Sequence, residues 1–256
     1  MSEVTAVETK ADAAPPTVSW RSLIAQPIGI LVVLGGFLAW LSFAPLTATE
    51  RTTLDPGALW SATVEHLALT FTAALIVLAI AIPLGILLTR SALRKFVPPV
   101  LVVANFGQAA PALGLLVLLA IFIASGFWAS ITALVLYAAL PVLRNTMIGI
   151  SGVDARLVEA GRGMGMSSTS VLFRIELPLA VPVMLAGIRT ALVLLVGTAA
   201  LAAFVNGGGL GLLITTGVNL YLTSVLVSGA LLIALLALAI DWVGRVVEFV
   251  ARPKGL

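Results

Sequence analysis

The sequence predicts an all-α membrane protein, a polytopic bundle of about six transmembrane helices. Three observations carry that prediction. First, 61% of the 256 residues are hydrophobic and only 10% are charged, against roughly 25% charged in an ordinary soluble domain. At a mean hydropathy of +1.18, a chain this long has more apolar surface than a water-soluble core can hide. Second, the apolar residues fall into six continuous runs, each about the roughly 20 residues a helix needs to cross hydrocarbon. Barrel strands would alternate apolar with polar residues instead. Third, the basic residues gather on alternate connections between the runs, the charge asymmetry that orients membrane proteins.

Residues 1–22 are expected to form a disordered cytoplasmic tail. Glu3, Glu8, Asp12 and the Pro15-Pro16 pair show no apolar period, as in chains that cannot build a core. The acidic start also lacks the basic, then apolar, pattern of a cleaved secretory signal. The transmembrane domain is expected over 23–250, with spans near 23–43, 64–89, 97–124, 127–150, 181–205 and 222–249. Ser125-Gly126 is the only break between the third and fourth spans and reads as a tight turn. Residues 251–256 form a second cytoplasmic tail.

With the N-terminus inside, the cytoplasmic set is Lys10, Arg21, Arg90, Arg94, Lys95, Arg144, Arg156, Arg162, Arg174, Arg245, Arg252 and Lys254. Arg51 alone lies outside, beside Glu50, Asp55 and Glu65. Both termini are therefore expected in the cytoplasm. The same placement explains the net charge of +3 without invoking nucleic acid. The absence of cysteine excludes disulfides and thiolate chemistry.

Polar residues inside the spans are few. Asn105 and Gln108, three residues apart, share a face of the third span; they serve either as glue between helices or as lining of a translocation path. Tyr137 and Asn145 have weaker claims of the same kind. Arg189 lies about ten residues into the fifth segment, roughly 15 Å of helix, and must pair or snorkel. Asp241 on the last span is its candidate partner, although Asp241 can also pair with Arg245 four residues later. His66, the single histidine, reads as a boundary residue satisfied by backbone or water. No metal site, cofactor site or clustered catalytic group is expected, and glycines and prolines such as Gly85, Gly107, Gly187 and Pro111 read as packing residues.

The connection at 151–180 is too polar for hydrocarbon. Ser151-x-x-Asp154 fits a helix-start box. Val153, Leu157, Ala160 and Met164 follow at spacings of four, three and four, one apolar stripe, with Asp154, Arg156, Glu159 and Arg162 largely off it. Gly163 and Gly165 weaken the helix, Ser167 caps a second one, and Pro178 is expected to limit it. The prediction is an elbow of two short helices. Alone, such a helix is unstable, so its stripe needs a surface: a partner protein or the membrane interface.

This stretch resembles the loop by which permease subunits of ATP-binding-cassette importers engage their ATPase. The resemblance rests on Glu159-Ala160-Gly161, then Gly165, then Ile175-x-Leu177-Pro178, with Gly161 standing where that family usually has a second Ala. It implies a type I importer permease fold and assigns the ATPase contact to Glu159, Ala160, Gly161 and Gly165, flanked by Leu157 and Met164 of the stripe. Further stretches resemble the osmoprotectant permeases that carry glycine betaine, carnitine, choline and related quaternary amines. These are Glu65-His66-Leu67-x-Leu69-Thr70, Ala81-Ile82-Pro83-Leu84-Gly85-Ile86, Ala104-Asn105-x-x-Gln108-x-x-Pro111, Leu140-Pro141-Val142-Leu143-Arg144-Asn145-Thr146, Ala186-Gly187-Ile188-Arg189-Thr190-Ala191 and Gly207-Gly208-Gly209-Leu210-Gly211. The resemblance implies a non-enzymatic transport subunit in a bacterial cytoplasmic membrane. Its expected partners are ATP-binding subunits, a second permease subunit, a separate extracytoplasmic binding protein and a small-molecule substrate. The alternatives are an importer of another small solute such as an amino acid, and a secondary transporter. The latter would carry ionisable relays in several spans.

Overall fold

The computed structural model describes residues 20–251 and builds them almost wholly from helices. The two predicted tails lie outside the described residues, apart from the helical residues 20–22 and Ala251. The elements run α1 Trp20–Phe43, α2 Ala48–Thr53, α3 Pro56–Leu88, α4 Val97–Ala109, α5 Ala112–Ile123 and α6 Phe127–Ser151. Then follow α7 Ala155–Gly163, α8 Ser168–Val171, α9 Leu177–Ala199, α10 Gly211–Asn219 and α11 Thr223–Ala251. Among the described residues five helices are long and apolar enough to cross a membrane: α1, α3, α6, the rod containing α9, and α11.

The third predicted span is not straight. α4 and α5 together have the length of one span but are bent by 103°. The cause is Pro111, which has no N–H and forces the residue before it toward extended angles. Ala110 sits at φ −63, ψ 143, and its N–H closes α4 on the Phe106 carbonyl. The second span also differs, because it begins at Pro56 rather than near 64. Asp55 accepts from the Gly57 N–H and Pro56 occupies the first turn, where a missing N–H costs nothing. Ser61, Thr63, Glu65 and His66 are therefore helical, and His66 is fully buried rather than at a boundary. It does find backbone, its Nε2–H donating to the Val196 carbonyl at 2.9 Å.

α6 is the central helix, packed by α3, α4, α5 and α9. Leu134, Ala138 and Val142 on α6 meet Leu69, Ala73 and Val77 on α3, and Ala191 and Leu195 on α9. Lipid supplies no hydrophobic drive between helices, so close backbone approach through small residues carries the association. Gly187 shows how close: a Cβ there would lie 2.5 Å from Asn145 Cβ and 2.8 Å from the Pro141 carbonyl.

The remaining helices lean on this group through α11. α1 packs along α11, where Trp242 Nε1 donates to the Leu23 carbonyl at 2.7 Å. The predicted Arg189–Asp241 pair is present at 3.7 Å, and Arg245 meets the same Asp241 carboxylate at 2.8 Å. Glu248 is an additional partner, 3.1 Å from Arg189 Nε. It belongs to the same face of α11 as Asp241 and Arg245, at spacings of four and three. At the opposite end of the bundle, Gly208 and Gly209 turn through φ near +82 and +83. The Gly209 N–H donates to Glu65 at 3.0 Å, which pins that turn to α3.

Candidate functional site

The elbow forms for local reasons. α6 runs on to Ser151, so Ser151 is still helical and does not start a new helix. Gly152 ends α6, and Asp154 caps α7 by accepting the Arg156 N–H at 2.9 Å. The box expected from Ser151 with Asp154 is thus replaced by a single Asp cap. α7 stops by a paired closure typical of glycine ends. The Gly165 N–H bonds the Arg162 carbonyl at 2.9 Å, and the Met166 N–H bonds the Gly161 carbonyl at 3.1 Å. Gly165 takes φ +83, a region costly for a residue with a Cβ. Ser167 caps α8 as expected, accepting the Ser170 N–H at 3.2 Å.

Pro178 does not end the second arm. The backbone widens into a π turn over Leu172–Glu176, and the Leu177 N–H reaches back five residues to the Leu172 carbonyl. A wider turn accommodates a ring that would otherwise clash with the preceding turn. Elbow arm and membrane span are one rod, Ser168–Val205. The end of α3 holds this rod: Arg90 meets Glu176 with both carboxylate oxygens, Nη1 to Oε1 at 3.2 Å and Nη2 to Oε2. Glu176 is buried. Sequence reasoning passed over this pair. Its signal was a lone acid inside the apolar run 175–179, facing an arginine at the end of a span.

The two arms pack against each other through Gly161. It is buried, and a Cβ there would meet Ile175 Cδ1 at 2.6 Å, beside Met166 and Val171. Gly161 therefore faces into the elbow and supports it from behind. Leu157 at 47% and Met164 at 76% exposure lie outward, with Ala160 and Glu159 also exposed. Among the described residues the stripe is left uncovered at Leu157, Ala160 and Met164, while Val153 is half-buried.

The path candidates separate into different environments. Asn105 Nδ2 donates to the Leu101 carbonyl at 2.6 Å, and its Oδ1 accepts from Arg144 Nη2 at 3.1 Å. Arg144 lies within α6, seven residues before its end, inside the span expected near 127–150. Tyr137, Pro141, Arg144 and Ile148 follow at spacings of four, three and four, a stripe running from half-buried to exposed. Asn145 lies off that stripe: it faces Gly187 and donates back to the Pro141 carbonyl at 2.9 Å. Gln108 is half-buried, just ahead of the break at Ala110-Pro111. Among the described residues no three His, Asp or Glu side chains converge on a metal-sized site.

A helical membrane bundle with a polar elbow built into one of its spans is the architecture of a transporter's membrane subunit. Residues 81–252 match the family described as binding-protein-dependent transport system inner membrane component, and the chain belongs to that family. It is a multi-pass inner-membrane permease subunit of an ABC system, not itself an enzyme, and such a system works with an ATPase and a binding protein. The chain is similar to the glycine betaine/carnitine/choline transport system permease protein OpuCB of Bacillus subtilis, 40% identical over 200 residues, covering 78% of this chain and 91% of that protein. It is similar also to the osmoprotectant import permease protein OsmY of Salmonella typhimurium, 37% identical over 233 residues, covering 90% and 96%. Among solved structures, an inward-facing chain of the MetNI methionine ABC transporter superposes with a TM-score of 0.69 at 25% identity, covering 76% of this chain and 96% of that one.

Proposed function

We propose that this permease imports a quaternary-ammonium osmoprotectant such as glycine betaine, choline or carnitine. The carrying observation is the 40% identity, over 91% of its length, to a permease described for glycine betaine, carnitine and choline. The similarity to a methionine transporter chain, at 25% identity, favours an amino acid as the second reading and rests on fewer shared residues. The elbow is the ATPase contact: Leu157, Glu159, Ala160 and Met164 form its outer surface, Gly165 shapes its turn, and Gly161 backs it. Because the second arm is continuous with the α9 span, a push on the elbow moves the membrane rod without an intervening flexible joint. A second permease subunit, identical or similar, completes the path, and a separate binding protein delivers substrate from outside.

Both termini lie in the cytoplasm, together with the elbow, by the basic-residue asymmetry. Reporter fusions after Leu93 and Arg174 should read cytoplasmic, and one after Leu54 extracytoplasmic; a reversed signal at Arg174 would sink the ATPase assignment with the topology. The substrate is tested by reconstituting the complex in proteoliposomes and offering glycine betaine, choline, carnitine and methionine. ATP-dependent uptake of the quaternary amines is expected. Uptake of methionine alone would overturn the osmoprotectant reading and leave the importer family untouched.

A further inference from the structure

The charges inside the bundle are not treated alike. Arg189 has Asp241 and Glu248, and Arg245 has Asp241. Arg144 on α6 has only the neutral amide of Asn105, at 3.1 Å, and among the described residues it makes no ion pair. It is exposed, while the helix that carries it is otherwise the best covered of the bundle. Seven residues separate it from the end of α6, roughly 10 Å of helix. Side chains of a helix tilt toward its N-terminus, which carries the guanidinium further from the elbow and deeper into the span. A charge at that depth faces a cavity or a partner rather than lipid.

We propose that Arg144, oriented by Asn105, lines the translocation path and takes the carboxylate of a zwitterionic substrate. The inference rests on the osmoprotectant reading above and narrows it to the members that carry a carboxylate. A planar guanidinium with donors to spare suits a carboxylate arriving and leaving. Asn105 fixes the arm through one donor and supplies no charge to compete. A carboxylate in its place would hold the arginine permanently, as Asp241 holds Arg245. Tyr137 and Ile148 lie on the same stripe of α6, which therefore runs past the site as a mostly apolar strip with one cationic station.

The test uses the complete importer in proteoliposomes, with glycine betaine and carnitine, which bear a carboxylate, and choline, which does not. Arg144→Gln should lower uptake of the two carboxylates about tenfold or more, the loss of a charge-assisted contact, and leave choline within about twofold. Arg144→Lys should recover part of that loss. Asn105→Asp keeps the arginine but supplies an internal competitor, so it should also depress betaine and carnitine while sparing choline; it judges the idea if Arg144→Gln fails to assemble. Equal loss for all three substrates would make the pair a packing or interface element and overturn the proposal, as would unchanged betaine uptake in Arg144→Gln. A wild-type importer that carries choline but neither carboxylate overturns this inference alone. One that carries none of the three removes the osmoprotectant reading and this inference with it.

Discussion

Replacing Glu176 by Gln removes the charge that ties the elbow's rod to the end of α3, with little change in shape. The native pair is a fork: both guanidinium nitrogens of Arg90 meet both oxygens of a carboxylate whose side chain is only 8% exposed. Hydrogen bonds to charged groups contribute about 1.5–3 kcal/mol each way of accounting, and breaking a fully buried pair costs about 3–5 kcal/mol. The Arg90 side chain is 34% exposed, so water can take up its abandoned charge and the upper range does not apply. A destabilisation of about 1.5–3 kcal/mol follows for Glu176→Gln, and less for Arg90→Lys, which keeps the charge but loses the fork. The consequence should reach function, because Glu176 sits at the last residue of the π turn, where elbow becomes span. The assay is thermal unfolding of the purified permease in detergent, paired with uptake and substrate-stimulated ATP hydrolysis by the whole complex. Lowered stability with ATPase activity that no longer drives uptake is expected, and exchanging the two residues, Arg90→Glu with Glu176→Arg, should restore part of both. Wild-type unfolding and uptake in Glu176→Gln would refute the anchoring role.

Three further outcomes follow from the same geometry. Gly165→Val forces a β-branched residue to φ +83, at about 1–2 kcal/mol for the left-handed angle; together with Glu159→Lys on the outer face, it should abolish ATPase co-purification while membrane insertion stays normal. Gly187→Leu drives a side chain into Asn145 and the Pro141 carbonyl, an overpacking worth about 1–3 kcal/mol or more, and should lower the unfolding temperature far more than Gly163→Leu, where nothing lies within 4 Å. Glu50, outside the long spans, has its carboxyl held below the ordinary 4.5 by the Thr47 backbone N–H, then by the Thr47 and Ser224 hydroxyls. Its contribution to α2 is therefore complete above 4.5 and is lost as pH falls through the lowered value; a fall under acid in the amide protection of 48–53, measured against the intrinsic exchange rate at each pH and absent in Glu50→Gln, checks the sign.

The elbow shows how far residue order can be read and where it stops. Its existence, the Ser167 cap, the turn at Gly165 and the outward Leu157 and Met164 all follow from local rules of polarity, spacing and backbone freedom. The path of the second arm did not, because Pro178 reads as a stop unless the preceding turn widens, and only the packed rod stabilises that widening. Arg144 marks a second limit: it falls inside the span expected near 127–150, but the sequence does not say what it meets. A basic residue near the end of an apolar run looks like a topology signal, and its contact with Asn105 forms only once α4 is packed on α6.

By itself, the sequence determined the number and placement of most spans, the polar elbow between the fourth and fifth, and the family, since each rests on hydropathy, charge or spacing along the chain. The tertiary structure alone decided which separated residues meet: Arg90 with Glu176, Arg189 with Glu248, Arg144 with Asn105, and Gly161 turned inward against Ile175. The physical reason is that apolar periodicity specifies that a helix enters the membrane. Which of its faces meets another helix is set by close approach at small residues and by the pairing of buried charges, and both require the whole bundle to be in place.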